Sequence, residues 1–454
     1  MWKPPFHIHH TKKYLPSQGM NDFIAARSQM ALSLAFHIIF SCIGMVMPFF
    51  MAVSHYYYLK TGKTVFRNIT KAWSKGVAIF FATGAVSGTV LSFELGLLWP
   101  VFMKNAGPIF GLPFSLEGTA FFIEAIALGF YLYGWGKFNK WFHWFTGVVV
   151  GVSGLISGIL VVAANAWMNS PAGFEFADGK YFNIDPVKAM FNDAWFSQAL
   201  HMCLAAFVAT GFAVAGVHAL MVVKRKNIEF HTKSFRIAAL FACVAALLQP
   251  ISGDHSAKDV AHRQPAKLAA MEAVFETGTH VPLLIGGIPD EKTGQIKYGF
   301  EIPGMLSFMI SGNTNTEVKG LDQFALADRP PVLITHIAFQ IMVGLGMCMF
   351  AVSILYFFVL WKKRNFEKNL WLLKLFALST PLGFMAVEAG WVVTEVGRQP
   401  WILHGILRTR DAVTPMPGIQ YTFYLFTLIY ISLAVVVTLL LYRQIKMVPV
   451  KYDI

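Results

Sequence analysis

Residues 370–401 read LWLLKLFALSTPLGFMAVEAGWVVTEVGRQPW. From 370 to 394 the run is apolar and long enough to cross a bilayer, which takes about 20 helical residues. Continued as one helix, it carries Glu388, Trp391, Glu395 and Arg398 at i, i+3, i+7 and i+10, on one stripe. An ionisable group at membrane depth costs roughly 2.5–3.5 kcal/mol. A chain that keeps several on one face is using them.

The same kind of segment recurs on both sides. Apolar runs span 29–57, 76–99, 115–135, 143–167, 195–223, 235–251, 332–361 and 419–442, which with 370–394 makes nine. The sixth is near the lower length limit. Hydrophobic residues make up 56% of the 454, charged residues 13%, and mean hydropathy is +0.54. These values exclude a string of soluble domains and define an all-α polytopic membrane protein. The net charge of +13 is no nucleic-acid footprint, because the basic residues sit in short loops between spans. Cys42, Cys203, Cys243 and Cys348 all lie inside apolar runs without CxxC or CxxCH, so they read as buried small hydrophobes.

The loops assign the sides. Lys60, Lys63, Arg67, Lys71 and Lys75 follow span 1, and Lys224, Arg225, Lys226, Lys233 and Arg236 follow span 5. Lys362, Lys363, Arg364 and Lys368 follow span 7, and the tail adds Arg443, Lys446 and Lys451. Glu175, Asp178, Asp185 and Asp193 occupy the loop after span 4. The positive-inside rule then puts the N-terminus outside and the C-terminus in the cytoplasm. The layout is a polar extension (1–28), spans 1–6 (29–251), a long extracytoplasmic loop (252–331), spans 7–9 (332–442) and a cytoplasmic tail (443–454). The first twenty residues, with His7, His9 and His10, have no apolar signal-peptide core, and Met20 is a second candidate start. The long loop reads as partly ordered, and no internal repeat suggests an inverted-repeat transporter.

With sides assigned, buried polar groups take depths. His37 lies about eight residues into span 1 from outside, His201 about six into span 5 and Met342 about ten into span 7. Glu117 opens span 3 near the outer face, and Glu124 follows two turns on, about 10 Å along the axis. Glu388, Glu395 and Arg398 end span 8 outside. Histidine, methionine, carboxylate and arginine thus converge on the outer half of one bundle. Neutral imidazole and thioether are haem axial ligands, and Arg27 and Arg398 are placed to meet propionates. Paired intramembrane carboxylates read as a proton path, with a structural polar network as the plainer alternative. His143, His218 and His231, near inner span ends, read as interfacial.

At these residues the chain resembles subunit I of the cytochrome bd-type quinol:oxygen oxidases. The resemblance runs from Arg27 to the end of span 9. It is carried by EAGW (388–391), GRQPW (397–401), LEGTAFFIE (116–124), NAWM (165–168), GD (253–254) and KLAAMEA (267–273). It implies His201 and Met342 as axial ligands of a low-spin haem b. It implies His37 and Glu395 as ligands of two high-spin haems, one of type b and one either haem d or a third haem b. Glu117 would stand beside or ligate the oxygen-reactive haem, with Glu124 next on the proton path. Lys267 and Glu272 would serve the quinol in the long loop, and Arg398 and Trp391 would contact the high-spin pair. The resemblance also implies a second membrane subunit (subunit II) and admits a small accessory single-span subunit, in a bacterial or archaeal cytoplasmic membrane.

The chain departs from the family pattern at Gln340, where an arginine usually precedes the methionine ligand by two residues. The interval from Glu117 to Glu124 is one residue shorter than usual, and the outer loop lacks a long insertion. The function these features predict is oxidation of membrane quinol with reduction of oxygen to water. It would separate charge without pumping, because quinol protons leave outward while those consumed at oxygen come from inside. Two alternatives stand beside it: a haem-b quinol dehydrogenase serving another acceptor, and a proton-coupled transporter built on the same carboxylates.

Overall fold

The computed structural model describes residues 21–177, 180–362 and 369–451. Residues 1–20, with the histidines and Met20, lie outside the described residues, as do Asp178, Lys363, Arg364 and Lys368. Among the described residues nine helical segments are long and apolar enough to cross a membrane. The polytopic all-α architecture is therefore the observed one.

Helices α1 (Asp22–Thr61), α2 (Thr64–Leu98), α3 (Pro100–Tyr133) and α4 (Lys140–Asn169) form the first group. Asn21 and Asn139 cap α1 and α4, their side chains accepting from Phe23 N and Trp141 N. A small hairpin, β1 (Glu175–Ala177) and β2 (Lys180–Phe182), and the short α5 (Pro186–Met190) lead to α6 (Trp195–Val223) and α7 (Ile228–Arg263). The long loop then forms α8 (Pro265–Glu272), the antiparallel hairpin β3 (Leu283–Asp290) and β4 (Gln295–Ile302), and α9 (Met305–Ser311). The chain ends with α10 (Val332–Trp361), α11 (Leu370–Leu378), α12 (Leu382–Val396), the pair β5 (Trp401–Leu403) and β6 (Leu407–Arg408), α13 (Thr409–Ala412) and α14 (Ile419–Lys451).

Spans five and seven have the expected bounds, and the others run longer. The sixth is the clearest case: α7 continues past 251 to Arg263, so Gly253 and Asp254 are helical rather than loop. Hydropathy misses this part because it is polar. Lys258–Asp254 and Arg263–Asp259, each at 2.6 Å and i,i+4, hold it in helix, and such exposed pairs contribute about 0.3–0.5 kcal/mol apiece. Because α3 begins at Pro100, Glu117 stands mid-helix instead of opening the span, and α1 begins well before the expected start above His37.

The eighth span is two helices. Pro381 has no N–H to continue the ladder, and the hydroxyls of Ser379 and Thr380 bond back to Leu375 O (2.9 Å) and Ala377 O (2.7 Å). Around this break α6 comes close: a Cβ on Gly383 would collide with the backbone of Ala209. Arg398 lies beyond the end of α12, so the four-residue stripe is helical only as far as Glu395.

Apolar packing among the described residues has three larger centres and a small fourth of Met271, Ala338 and Val393. Phe50, Phe212, Phe235 and Phe376 anchor the main core between the spans. Phe110, Trp167 and Leu403 anchor a second. Leu268, Leu284, Leu306, Leu321 and Val332 give the long loop a core of its own, so it is more ordered than its composition suggested. The cysteines are all free: Cys42 and Cys243 are buried as expected, Cys203 is half-buried, and Cys348 is exposed on α10. In a bilayer an outward face is also an apolar environment, which is why a small hydrophobe is tolerated there.

Candidate functional site

The end of α12 forms a buried polar cage. Both oxygens of Glu395 are engaged: Asn165 Nδ2 donates to Oε1 at 2.6 Å, and Arg398 Nη2 donates to Oε2 at 2.5 Å. Asn165 comes from α4 and belongs to the NAWM motif. Its neighbour Asn169 is held by Gln264 Nε2, which donates to Asn169 O at 2.9 Å, tying α4 to the start of α8. Lys267 enters from α8, its Nζ donating to Thr394 O at 3.3 Å. Burial, and then the neighbouring Arg398, bring the Lys267 ammonium down to about 7. His404, which the sequence reading did not single out, completes the cage. Its backbone N–H donates to Met168 O at 3.0 Å, and its pKa is lowered by burial and by Lys267 and Arg398.

The cage is incompletely satisfied. Arg398 is 3% exposed, yet its Nε and Nη1 have no partner, and neither has His404 Nδ1. Buried donors of this kind cost about 1–3 kcal/mol each when left unmade. Glu272, at the other end of α8, is similar: it is buried, Oε2 has no partner, and burial pushes its carboxyl up to about 8. Glu388 on α12 also leaves Oε1 unpartnered.

His37 has an ordered second shell. Ser87 Oγ lies 2.9 Å from Nδ1 and 2.9 Å from Thr83 O. A metal-ligating imidazole needs one ring nitrogen free of its proton, and a serine hydroxyl stands beside each. Ser41 Oγ, 2.9 Å from Nε2, has a second acceptor in His37 O at 3.0 Å. Gly88 is glycine for want of room, since a Cβ there would stand 3.0 Å from His37 Cε1. Glu117 on α3 accepts from Ser157 Oγ of α4 at 2.9 Å, and Glu124, 7% exposed, faces Gly154 of α4.

His201 on α6 is approached from α7 by Gln249, whose Nε2 is 3.1 Å from the ring Nε2, and by Ser252 Oγ, 3.3 Å from Nδ1. Met342 on α10 has its sulfur against Gly390 of α12, where a Cβ would be 3.0 Å away. Helices α7 and α12 each pack against both α6 and α10, so the helices bearing His201 and Met342 share two neighbours. Trp391 packs on the main core, while Arg27 is exposed and stacks on Phe23 at 5.5 Å. The histidines expected at span ends pack against other side chains. His143 and His218 are buried, and His218 Nδ1 lies 2.8 Å from His231 Nδ1.

The residues fit the groups that the resemblance implies. Unpartnered cationic nitrogens on Arg398, beside Lys267 and His404, form a cradle for a carboxylate such as a propionate. Among the described residues no three His, Cys, Asp or Glu side chains gather as a bare-metal site. Iron held by one or two axial side chains per macrocycle is consistent with that. Of the residues the sequence reading missed, Asn165 and His404 lie in or just beyond motifs it quoted. Ser87, Ser157 and Gln249 carry no sequence signal, since a polar residue in a span gains meaning only from what faces it.

Comparison with known proteins agrees with this geometry. A family profile described as "Cytochrome bd terminal oxidase subunit I" matches residues 25–449. A Bacillus subtilis (strain 168) protein, provisionally named cytochrome bd menaquinol oxidase subunit I, is 34% identical over 441 residues, covering 96% of this chain and 99% of its own. The cytochrome bd-II ubiquinol oxidase subunit 1 of Escherichia coli (strain K12) is 26% identical over 479 residues, covering 89% and 92%. The solved structure of bd oxidase from Geobacillus thermodenitrificans superposes with a TM-score of 0.88 at 34% identity, over 94% of this chain and 98% of that one. The chain therefore belongs to the cytochrome bd terminal oxidase subunit I family.

Proposed function

We propose that this chain is the haem-bearing subunit of a respiratory quinol oxidase, working with a second membrane subunit, with its N-terminus outside and C-terminus in the cytoplasm. Its bound haems would supply the electron transfer from quinol and the binding and reduction of oxygen. His201 and Met342 would hold the low-spin haem b, and His37 and Glu395 the two high-spin haems. Arg398 would neutralise a propionate, with Lys267 and His404 beside it as hydrogen-bonding neighbours. Each Glu395 oxygen accepts one hydrogen bond, from Asn165 or Arg398, so a lone pair would remain for iron.

The remaining roles belong to the chain's own acids and bases. Each quinol releases two protons and two electrons on oxidation, and two quinols supply the four electrons that turn one oxygen into two waters. Lys267 and Glu272 are both shifted toward their neutral forms by burial. Lys267 is therefore a free amine in part near pH 7, able to accept a quinol proton, and Glu272 becomes an acceptor only above about 8. Glu124 and Glu117, two turns apart on α3, would pass protons from the inner side toward oxygen. No pump is needed for charge to separate.

The observation that carries this reading is the buried cation cage with its unpartnered nitrogens around Glu395. The test is a reduced-minus-oxidised optical spectrum of the purified complex, which should carry low-spin and high-spin haem bands. A spectrum without haem bands refutes the reading and favours a transporter. Quinol oxidation that consumes no oxygen would instead indicate a dehydrogenase.

A further inference from the structure

Gln340 and His336, one turn apart on α10, are the residues that the proposed function leaves without a role. Strand β3 lies along the first turns of α10, running the opposite way, and three side chains join them. Glu291, past the end of β3, caps α10 by accepting from Val332 N at 2.8 Å and Leu333 N at 3.1 Å. His336 is 0% exposed, with Nε2 3.0 Å from Gly286 O and Nδ1 2.7 Å from Met271 O, the residue before Glu272. A neutral ring donates to one of these carbonyls and an imidazolium to both. Gln340 receives Gly286 N–H at 3.0 Å on Oε1 and donates from Nε2 to Leu284 O at 3.0 Å.

Leu284 C=O and Gly286 N–H are the pair that an edge strand presents to a neighbour. The planar amide of Gln340 answers both, as the next strand would. Gly286 stands at φ +69°, a conformation an L side chain disfavours, and both of its backbone groups are spent on α10. Arginine, the usual family residue at this position, offers five donors and no acceptor, so it leaves Gly286 N–H unmet. Met342 follows Gln340 by two residues.

We propose that His336 and Gln340 are positioning residues that latch the long loop onto α10, holding α8 with Glu272 and Lys267 in fixed register with Met342. The latch rests on the reading that this loop takes the quinol. It sets how well quinol is held rather than how fast electrons leave the haem.

The test uses the whole complex with Gln340→Met, which keeps the volume and removes both bonds, Gln340→Arg, and Gln340→Glu, which keeps the acceptor for Gly286 N–H. Amide hydrogen exchange over residues 283–302, KM and kcat for a soluble quinol, and the low-spin haem spectrum are measured together. Gln340→Met and Gln340→Arg should raise hairpin exchange and KM by about tenfold each, with kcat within about threefold and the spectrum unchanged; Gln340→Glu should fall between. Wild-type exchange and KM in Gln340→Met would overturn the proposal. So would a loss of the low-spin band or of kcat without a rise in KM, which marks a plain packing role in α10. If Gln340→Met fails to assemble, Gln340→Glu decides: wild-type exchange and KM there overturn the latch, and an intermediate rise supports it. Failure of the quinol reading is separately visible, because a wild-type complex without haem or quinol oxidation leaves the exchange measurement still able to report the latch.

Discussion

Two buried polar clusters in this bundle have opposite states of satisfaction. Where α1 and α3 end and α4 begins, His55 Nδ1 meets Tyr131 OH at 3.0 Å, and His143 Nε2 donates to Tyr131 O at 2.8 Å. Trp135 stacks on His55 at 5.0 Å, Lys71 lies over Trp135 at 5.2 Å, and none of the cluster's side-chain atoms is left buried without a partner. Toward the other end of the bundle, Arg398, His404, Glu272 and Glu388 all leave polar atoms unpartnered. A closed network rigidifies a fold, whereas one left open marks where something else completes it. Type of residue does not separate the two, since both contain histidine and a cation. Completeness of pairing does.

The contrast can be broken by mutation. The largest effect is expected from Met342→Leu or His201→Ala, which should abolish the low-spin haem spectrum while the protein stays inserted; an unchanged spectrum refutes the ligand assignment. Arg398→Met leaves Glu395 with Asn165 alone, and high-spin haem retention should fall about 10–100-fold, read by haem content. Retention equal to wild type would show that the open nitrogens hold nothing.

A pH series sharpens the comparison further. Glu272 is raised to about 8 and Lys267 lowered to about 7, so both become proton acceptors as pH rises. Quinol kcat/KM should climb from pH 6 and level off above about 8, by roughly tenfold per unit well below the governing value. Glu272→Gln should remove the upper part of that rise, and a profile identical to wild type would take Glu272 out of the reaction. The smallest effect belongs to the closed cluster. Tyr131→Phe removes one hydrogen bond, costs about 1 kcal/mol of stability and should leave spectrum and oxygen uptake untouched.

Much of the molecule is legible without coordinates. The apolar runs predict all nine spans, because in a bilayer the backbone must satisfy itself and the side chains report the solvent directly. The bounds of the sixth and eighth are not legible. A polar helix held by Lys258–Asp254 and Arg263–Asp259 is invisible to hydropathy, and Pro381 inside an apolar run breaks α11 from α12 without altering its composition. The long loop reads as only partly ordered because its core draws Leu268, Leu284, Leu306 and Val332 from segments far apart in the chain.

The sequence by itself determined the solvent, the number of crossings and the kinds of chemistry available: imidazole, thioether, carboxylate and guanidinium at the ends and middles of spans. The tertiary structure alone decided which of them meet. It paired Glu395 with Arg398 and Asn165, set Ser87 and Ser41 beside the two ring nitrogens of His37, and turned Gln340 from a missing arginine into a strand partner. Hydropathy is a sum over neighbours in the chain and survives any packing. A hydrogen bond depends on the atom opposite, which only the folded bundle supplies.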